Sequence, residues 1–305
     1  MSLRPFTYRV ARFAADAALF ALRAAPPPVR AYATLAGRLG YLPRYRNPRT
    51  FNEKLVWLLR NTADERRAQL ADKLAMKDYV ARMAPEARTA RVLTVGERGE
   101  DLETDDLPDL CVLKTNNGYG RNQILRSPHD REVIVRQANA WLAEDPAADL
   151  FPWETHYRDI PRRVFIEEFL SENGTDPPTD YKVFVLNGEP ALIRVMADRK
   201  AGHLAHGLMD VDWNPMNPLR KPSPWQHEAT LQQAREVPKP SQLPRLLSVS
   251  RQLAGTLPFV SVDAYLLLDD VYIGELTFSP AGGALPFPYA FDRALGNRFQ
   301  LPDRA

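Results

Sequence analysis

The sequence is poor in the residues from which disulfide frameworks and zinc sites are built. It has one cysteine and five histidines in 305 residues. A single cysteine cannot form an internal disulfide, and Cys111 lies in an apolar run that predicts a buried strand rather than a nucleophile. His203 and His206 have helical spacing, but Gly202 and Gly207 flank them, so no zinc site is expected. Because nothing resembles a disulfide framework, the cytoplasm is the expected location.

The N-terminal region has no apolar run long enough to span a membrane. Its longest apolar stretch, residues 13–25, is interrupted by Asp16 and Arg23 and falls short of the ~20 residues that a bilayer requires. The same charges and the lack of a small-residue cleavage site argue against a secretory signal. The chain has no internal repeat, and its 45% hydrophobic and 26% charged residues exclude a disordered protein.

The charge is divided unevenly along the chain. Residues 1–50 contain nine arginines, no lysine and a single acid, Asp16, and so carry +8. The whole chain carries +2, which leaves −6 on the remaining residues. The arginines follow helical spacing up to Pro26-Pro27-Pro28. This basic helix is expected either to pack on the protein's own core or to bind an anionic membrane surface or partner. Nucleic acid is not expected as a partner, because no DNA- or RNA-binding module accompanies the charge.

Short apolar runs joined by turns predict an α+β protein. Helices are expected over residues 29–40, 52–60, 63–71, 73–82 and 130–143, the second capped by Thr50 with Glu53 as its reciprocal partner. Strands are expected over residues 91–95, 110–114, 123–125, 163–168, 181–187, 191–197, 260–268 and 271–278. Hairpin turns at Asn187-Gly188 and Asp269-Asp270 favour this fold over a doubly wound parallel sheet. Residues 212–245, rich in proline and polar side chains, are interpreted as an ordered excursion or a flexible loop.

Two segments have the composition of a site for phosphates and a metal. Lys114 precedes a polar turn with Gly118 and Gly120, where backbone amides can approach phosphate oxygens. The order differs from that of a P-loop, and such turns also occur for structural reasons. Asp263 and Glu275 lie in the two strands of one hairpin, so antiparallel pairing would place them side by side. Two unneutralised carboxylates would repel, which favours Mg²⁺ between them, although solvent-facing acids would give the same pattern.

A third segment, Glu167-Glu168-Phe169-Leu170, ends a predicted strand. The backbone groups of Glu168 and Leu170 could offer a donor and an acceptor to an adenine edge. Exposed glutamates that cap a strand end are the alternative interpretation.

Taken in order, these segments resemble the ATP-grasp proteins and, more closely, the TupA-like ATP-grasp family. The resemblance rests on six motifs between about residues 45 and 290. They are Asn47-Pro48-Arg49-Thr50-Phe51-Asn52-Glu53-Lys54, Ala71-Asp72-Lys73, Val112-Leu113-Lys114, Asp180-Tyr181-Lys182-Val183-Phe184, Asp212-Trp213-Asn214 and Glu275-Leu276-Thr277-Phe278-Ser279-Pro280. The resemblance implies two α+β subdomains that clamp ATP, residues 70–165 and 166–305, after a basic helical region, residues 1–69.

The resemblance also implies a set of site residues. Those implied to bind ATP are Lys73, Lys114, Asn116, Asn117, Gly118 and Gly120 around the phosphates, Glu167, Glu168, Phe169 and Leu170 at the adenine, and Asp180 at the ribose. Those implied to hold Mg²⁺ are Asp263, Glu275 and Thr277. The cations implied in catalysis are Lys182, Arg199 and Arg121.

The function implied by the family is a step of cell-surface polysaccharide or teichuronopeptide synthesis. We expect an ATP- and Mg²⁺-dependent carboxylate–amine ligase acting through an acyl phosphate. Its partners would be an amine donor and a saccharide acceptor that bears a uronic acid or an amino acid. The N-terminal helix would then dock on the inner face of the cell membrane or on polysaccharide-assembly proteins.

Two departures from the family pattern keep other functions open. Ser261 stands two residues before Asp263, where the family often has an arginine. The family's loop Asn-His-Gly-Ser-Gly is replaced by one containing Asn117, Tyr119 and Arg121. Either Arg121 or Arg199 substitutes for the missing arginine, or the reaction differs. The alternatives are a phosphotransferase acting on a hydroxyl-bearing saccharide and a non-catalytic scaffold on the same fold.

Overall fold

The computed structural model of the chain describes residues 26–144, 151–197, 205–216 and 237–303. The predicted basic helix within residues 1–25 and the site residue Arg199 lie outside the described residues. The α-helices of the described ranges are α1 (Pro27–Leu39), α2 (Phe51–Asn61), α3 (Arg66–Ala71), α4 (Ala75–Met83), α5 (Arg131–Ala143), α6 (Leu243–Ala254) and α7 (Tyr289–Arg298). Among these residues no helix is both long and apolar enough to cross a membrane.

The strands form two antiparallel sheets. They are β1 (Val92–Gly96), β2 (Leu110–Thr115), β3 (Asn122–Arg126), β4 (Val164–Glu168), β5 (Asp180–Leu186), β6 (Glu189–Ala197), β7 (Ala205–Met209), β8 (Pro215–Met216), β9 (Phe259–Leu267) and β10 (Asp270–Thr277). The first sheet has the order β1-β4-β2-β3 and the second has the order β10-β9-β5-β6-β7-β8. Helices pack on both sheets, so the predicted α+β fold is confirmed.

Helix α2 begins where the sequence predicts. Thr50 Oγ1 accepts a hydrogen bond from Glu53 N at 3.1 Å, and Glu53 Oε2 accepts one from Thr50 N at 3.0 Å. This reciprocal pair satisfies two amides that the helix itself cannot bond. Phe51, at the start of the helix, is fully buried and lies 5.9 Å from Phe184 of β5 between ring centroids. The cap therefore fixes α2 against the second sheet.

The first sheet separates an apolar face from a charged one. Leu113 and Ile166 belong to an apolar cluster with Ile134 of α5. Side chains alternate along a strand, so the neighbouring positions Lys114 of β2 and Glu167 of β4 turn to the other face, where they line a cavity. The register that pairs Val112 with Glu167 holds these strands side by side. One lysine and one glutamate are thus delivered to the same side of the sheet.

The second sheet carries helix α6 and a set of charged side chains. Helix α6 packs on β9, β5 and β6, and its buried residues Leu246, Val249 and Leu253 join the large apolar core. On β5 the side chain of Lys182 points to the same face as Phe184, two residues further on. The charged side chains of this sheet therefore lie next to the aromatic contact with α2.

Several elements were not predicted from the sequence. Strands β7 and β8 and helix α7 fall where no element was expected, and α6 begins inside the segment interpreted as a loop. His206 lies in β7, so its helical spacing from His203 does not describe its conformation. The division of the chain at residues 69 and 165 stays a prediction.

Candidate functional site

A row of four charged residues crosses four neighbouring strands of the second sheet. Glu275 of β10 pairs with Asp263 of β9, Asp263 pairs with Lys182 of β5, and Lys182 pairs with Arg194 of β6. Because directly opposed residues in antiparallel strands share a face, two carboxylates and two cations stand side by side. The predicted neighbourhood of Asp263 and Glu275 is what the register produces.

The two carboxylates are not unneutralised, and that expectation was wrong. Lys182 Nζ forms a close ion pair with Asp263 and lies 3.1 Å from Asp180 Oδ2. Lys73 Nζ lies 3.6 Å from Glu275 Oε1. The sequence did not predict these pairs, because Lys182 lies on β5 and Lys73 lies between α3 and α4, both far from the hairpin along the chain. Burial lowers the pKa of Lys182, but the carboxylates Asp263 and Asp180 outweigh it and raise the pKa, so the ammonium stays charged.

The turn after β2 is held by Lys73 and by buried amides. Lys73 Nζ donates to Gly118 O at 2.7 Å, and Lys73 N donates to Asn116 O at 2.9 Å. Asn116 is fully buried, and its side chain bonds Pro161 O and Arg163 N. Gly118 and Gly120 have φ of 71° and 76°, in the left-handed region that glycine adopts without strain. Asn117 is buried as well. Asn116 therefore anchors the turn, and the glycines shape it.

Lys114 is held in place by a buried carboxylate. Glu167 forms an ion pair with Lys114 and a second one with Lys77, whose Nζ lies 2.8 Å from Glu167 Oε2. Lys77 also donates to Ala90 O at 2.6 Å. Burial raises the pKa of Glu167, but the two lysines outweigh it and lower the pKa below 4.5. The side chain of Glu167 thus positions Lys114, a function the sequence did not predict for it.

A partly apolar cavity of about 300 Å³ lies beside this ion pair, and we call it the hinge cavity. Its lining includes Glu167, Glu168, Phe169 and Leu170, the four residues predicted for adenine, together with Lys114. The amide of Glu168 already donates to Arg91 O at 3.0 Å. An adenine edge at this position would therefore use the carbonyl of Glu168 rather than its N–H.

A smaller, charged cavity of about 160 Å³ adjoins the hinge cavity, and we call it the lysine cavity. Both are lined by Lys114, Asn122, Tyr265 and Gly274. The predicted residues that converge on the lysine cavity are Lys73, Lys114, Gly118, Gly120, Arg121, Asp180, Lys182, Asp263 and Glu275. Asp180 faces this cavity rather than the hinge cavity, and Arg121 is paired with Glu144 at 2.8 Å.

A third cavity of about 420 Å³ continues beyond the charged row, and we call it the outer cavity. It shares Tyr119, Lys182, Asp263 and Glu275 with the lysine cavity. Thr277, predicted as a metal ligand, lines it as well. Shared lining residues thus connect the hinge cavity to the lysine cavity and the lysine cavity to the outer cavity.

The outer cavity is lined by several residues that sequence reasoning missed. Arg194 of β6 borders it from the second sheet. Arg38 of α1 borders it as well, with its guanidinium 5.4 Å from the Phe151 ring centroid. Glu154 is buried there, and its carboxylate accepts a hydrogen bond from Ser279 Oγ at 2.5 Å. Burial raises the pKa of Glu154. Arg194 is the one charged residue in the otherwise apolar run of residues 190–197, a signal that could have singled it out.

The donor set fits a Mg²⁺ ion carried by a nucleotide better than one held in a protein cage. In the described part of the chain no three His, Cys, Asp or Glu side chains converge as metal ligands. Asp263 and Glu275 offer two adjacent carboxylates, and Mg²⁺ commonly takes one or two carboxylates while phosphates and water complete its shell. Burial raises the pKa of Asp263, and Asp180 and Glu275 add to this against the pull of Lys182. Additional positive charge would therefore stabilise the site.

One protein-family model matches most of the chain. The TupA-like ATP-grasp family model matches residues 53–300 of the chain. The match includes both sheets and all the residues of the lysine and hinge cavities, and with it the ATP-grasp fold expected from the sequence is established. No curated protein matches the chain by sequence.

Solved structures with a similar fold are distant in sequence. They include N5-carboxyaminoimidazole ribonucleotide synthetase in complex with ADP (14% identity, TM-score 0.44, 73% of this chain and 46% of that chain). They also include the D-alanine–D-alanine ligases of Bacillus anthracis with ATP (15%, 0.43, 75% and 61%) and of Helicobacter pylori (12%, 0.44, 78% and 60%). The chain spans less than two thirds of the length of each of these structures.

Proposed function

The chain belongs to the TupA-like ATP-grasp family, and from this we propose that it is an ATP- and Mg²⁺-dependent carboxylate–amine ligase of cell-surface polysaccharide synthesis. The observation that supports the proposal most strongly is the meeting of opposite charges in the lysine cavity. Lys73 and Lys114 reach it from one side, and Asp263 and Glu275 reach it from the second sheet. A Mg·ATP site requires cations that bind the phosphates and carboxylates that bind the Mg²⁺ ion.

In this proposal ATP lies along the hinge and lysine cavities. The adenine takes the hinge cavity, against the carbonyl of Glu168 and the amide of Leu170. The phosphates take the lysine cavity, where Lys73 and Lys114 bind their oxygens and the turn with Gly118 and Gly120 covers them. Asp180 faces the lysine cavity, which would place it nearer the phosphate end of the ribose.

Asp263 and Glu275, with the hydroxyl of Thr277, are the residues that would hold Mg²⁺. When bound, the ion supplies charge neutralisation for the phosphoryl group in transfer. Lys182 is already held by Asp180 and Asp263. One N–H of its ammonium group would donate a hydrogen bond to the γ-phosphate. The residues of the chain thus position the reactants and neutralise charge, which are the main contributions that phosphoryl transfer needs.

The chemical steps of the proposed reaction are as follows. A carboxylate oxygen of the acceptor forms a bond to the γ-phosphorus, and the bond from that phosphorus to the bridging oxygen breaks, so that ADP leaves with the electron pair. An amine then attacks the acyl carbon, and the carbon–oxygen bond to phosphate breaks. The departing phosphate takes up the proton that the amine loses. The products are an amide, ADP and inorganic phosphate.

The acceptor that we propose is a saccharide bearing a uronic acid or an amino acid, and it would occupy the outer cavity. The test is incubation of the protein with ATP, Mg²⁺, uronic acids and amines, followed by mass analysis of nucleotide and acceptor. Formation of ADP together with an acceptor that has gained the amine and lost water supports the ligase. ADP formation with no such product would contradict it.

A phosphotransferase is the second candidate, and Ser261 is the observation that favours it. Ser261 Oγ donates to Asp263 Oδ1 at 2.9 Å, so the position next to the metal carboxylates carries no cation for an acyl intermediate. In the same experiment a kinase would leave a phosphate on the saccharide that resists hydroxylamine, whereas an acyl phosphate would be converted to a hydroxamate. A protein that binds no ATP at all would be a scaffold.

We further propose that the arginine-rich residues 1–28 hold the enzyme at the inner face of the cell membrane or on assembly proteins. The support is the excess of four arginines over one acid, Asp16, in residues 1–28 and the start of the family match only at residue 53. Removal of residues 1–28 should abolish sedimentation of the protein with vesicles that contain anionic lipid. Unchanged sedimentation would contradict membrane binding.

A further inference from the structure

The outer cavity contains an arginine that the sequence analysis did not single out. We propose that Arg194 binds the carboxylate of the acceptor beside the γ-phosphate. The acceptor group that this assigns to the outer cavity is a carboxylated pyranose. The inference rests on the proposed function, because it concerns the acceptor of the same site.

The register of the second sheet places Arg194 at the reaction centre. It pairs directly with Lys182, which in turn pairs with Asp263. All three side chains line the outer cavity. Lys182 and Asp263 also line the lysine cavity, where the phosphates are proposed to lie. Arg194 is therefore one strand further from the phosphates than Lys182, on the side from which an acceptor would approach.

Ser261, two residues before Asp263 on β9, supplies no cation to the cavity. It pairs with Thr277 of β10 and is fully buried. Its hydroxyl is directed to Asp263, so its short side chain contributes no charge to the cavity. A guanidinium beside Asp263 must therefore come from another strand, and Arg194 of β6 lines the same cavity.

The two other arginines that were predicted to fill this function are less well placed. Arg121 lines the lysine cavity and is absent from the lining of the outer one. Arg199 lies outside the described residues. Arg38, which does line the outer cavity, packs on Phe151 and is exposed at the cavity's rim.

The shape and chemistry of the cavity indicate the class of acceptor. Its volume of about 420 Å³ exceeds what a single amino acid needs, and its walls include the aromatic side chains of Tyr119, Phe151 and Tyr157. Aromatic rings pack against the apolar faces of sugar rings, while a guanidinium matches a carboxylate through two parallel hydrogen bonds. A sugar ring with one carboxylate satisfies both features.

In the reaction Arg194 would act on charge rather than on covalent bonds. It would hold one carboxylate oxygen while the other forms the bond to the γ-phosphorus and ADP leaves. When the amine adds, the same guanidinium would donate to the oxygen that becomes negative until phosphate departs. Planar, permanently charged arginine suits both states, whereas lysine offers only a point charge.

The test measures binding of a probe acceptor to the protein saturated with Mg²⁺ and a non-hydrolysable ATP analogue. D-Glucuronate and D-glucose are titrated by calorimetry into the wild type, Arg194→Met and a control outside the three cavities, Arg136→Met, whose glucuronate affinity should equal that of the wild type. We expect glucuronate to bind the wild type at least about tenfold more tightly than glucose and at least about tenfold more tightly than it binds Arg194→Met, as for loss of a charge-assisted pair. The nucleotide analogue should bind Arg194→Met within about threefold of wild type, which also shows that the variant is folded.

A second variant separates position from charge. In Arg194→Ser combined with Ser261→Arg, the cation returns to β9, and glucuronate binding should recover relative to Arg194→Ser alone. Equal glucuronate affinity in wild type and Arg194→Met, or no preference of the wild type for glucuronate over glucose, would overturn the inference. Failure of the nucleotide analogue to bind the wild type would instead overturn the proposed function.

Discussion

Replacement of Glu167 by glutamine should weaken both the fold and the nucleotide site, because one carboxylate serves two lysines. The side chain of Glu167 is only 7% exposed, and it pairs with Lys77 and Lys114. Glutamine would keep a hydrogen-bond acceptor but leave two ammonium groups facing each other without a counter-charge. Removing one member of a buried ion pair costs about 3–5 kcal/mol. Because both lysines retain some solvent contact, we expect about 3 kcal/mol.

This loss can be measured by urea denaturation, with the neighbouring Glu168→Gln as the matched control. Glu168 is 34% exposed, and its carboxylate lies 3.9 Å from Arg91 Nε, so its replacement should cost at most about 1 kcal/mol. For a chain of this size, about 3 kcal/mol corresponds to a fall in Tm of about 5 °C. The affinity for a Mg·ATP analogue should fall as well, because Lys114 loses the group that positions it.

The pH dependence of stability is an independent measure of the ion pairs of Glu167. The lysines hold the pKa of Glu167 below 4.5 in the folded protein, so its stabilisation is complete above that pH and is lost as the pH falls through the lower, folded-state pKa. The difference between wild type and Glu167→Gln should therefore shrink in acid. Equal stability of Glu167→Gln and Glu168→Gln at pH 7 would refute this prediction. So would a difference in the free energy of unfolding between Glu167→Gln and wild type that grows as the pH falls.

Two further predictions concern buried polar groups. Burial lowers the pKa of His156 from 6.5 to about 3, so the stability that its neutral form contributes is complete above pH 6.5 and should be about 2 kcal/mol lower at pH 5. Thermal denaturation of His156→Phe should show a smaller fall between pH 7.5 and pH 5 than wild type or the control His129→Gln, and an equal fall would contradict the assignment. Asn52, fully buried, bonds Leu285 O, Leu285 N and Asp292 Oδ2 at 3.1, 2.9 and 2.7 Å. Asn52→Ala should lower the free energy of unfolding by about 3 kcal/mol, against about 0.5 kcal/mol for Asn61→Ala at the end of the same helix, and similar losses for the two variants would refute this.

The sequence predicted most of the strands because their apolar residues alternate between strong turn signals. The hairpin of β9 and β10 is the best example, since the turn signal near Asp269-Asp270 joins two apolar strands; a register shift between Ile273 and Glu275, which the sequence did not predict, then brings Glu275 opposite Asp263. The cap of α2 was equally predictable, because Thr50 and Glu53 satisfy a local requirement of the helix start. Local signals of this kind do not depend on the rest of the chain.

What the sequence could not supply is the order of strands that are distant along the chain. Only the placement of β5 beside β9 brings Lys182 onto Asp263, and only β6 beyond it adds Arg194 to the row. The same limit explains Glu167, whose lysine partners come from α4 and β2. Arg38 lies before the family match and was assigned to an attachment region, yet α1 carries it to the rim of the outer cavity.

The proposed function requires that the lysine cavity bind Mg·ATP through Lys114 on one side and Asp263 on the other. Calorimetric titration of a non-hydrolysable ATP analogue into wild type, Lys114→Met and Asp263→Asn, with and without Mg²⁺, measures this binding. We expect the wild type to bind the analogue more tightly when Mg²⁺ is present. We expect at least about tenfold weaker binding in each variant, with the benefit of Mg²⁺ largely lost in Asp263→Asn. Binding that is absent in the folded wild type, or equally tight and equally Mg²⁺-dependent in both folded variants, would contradict it.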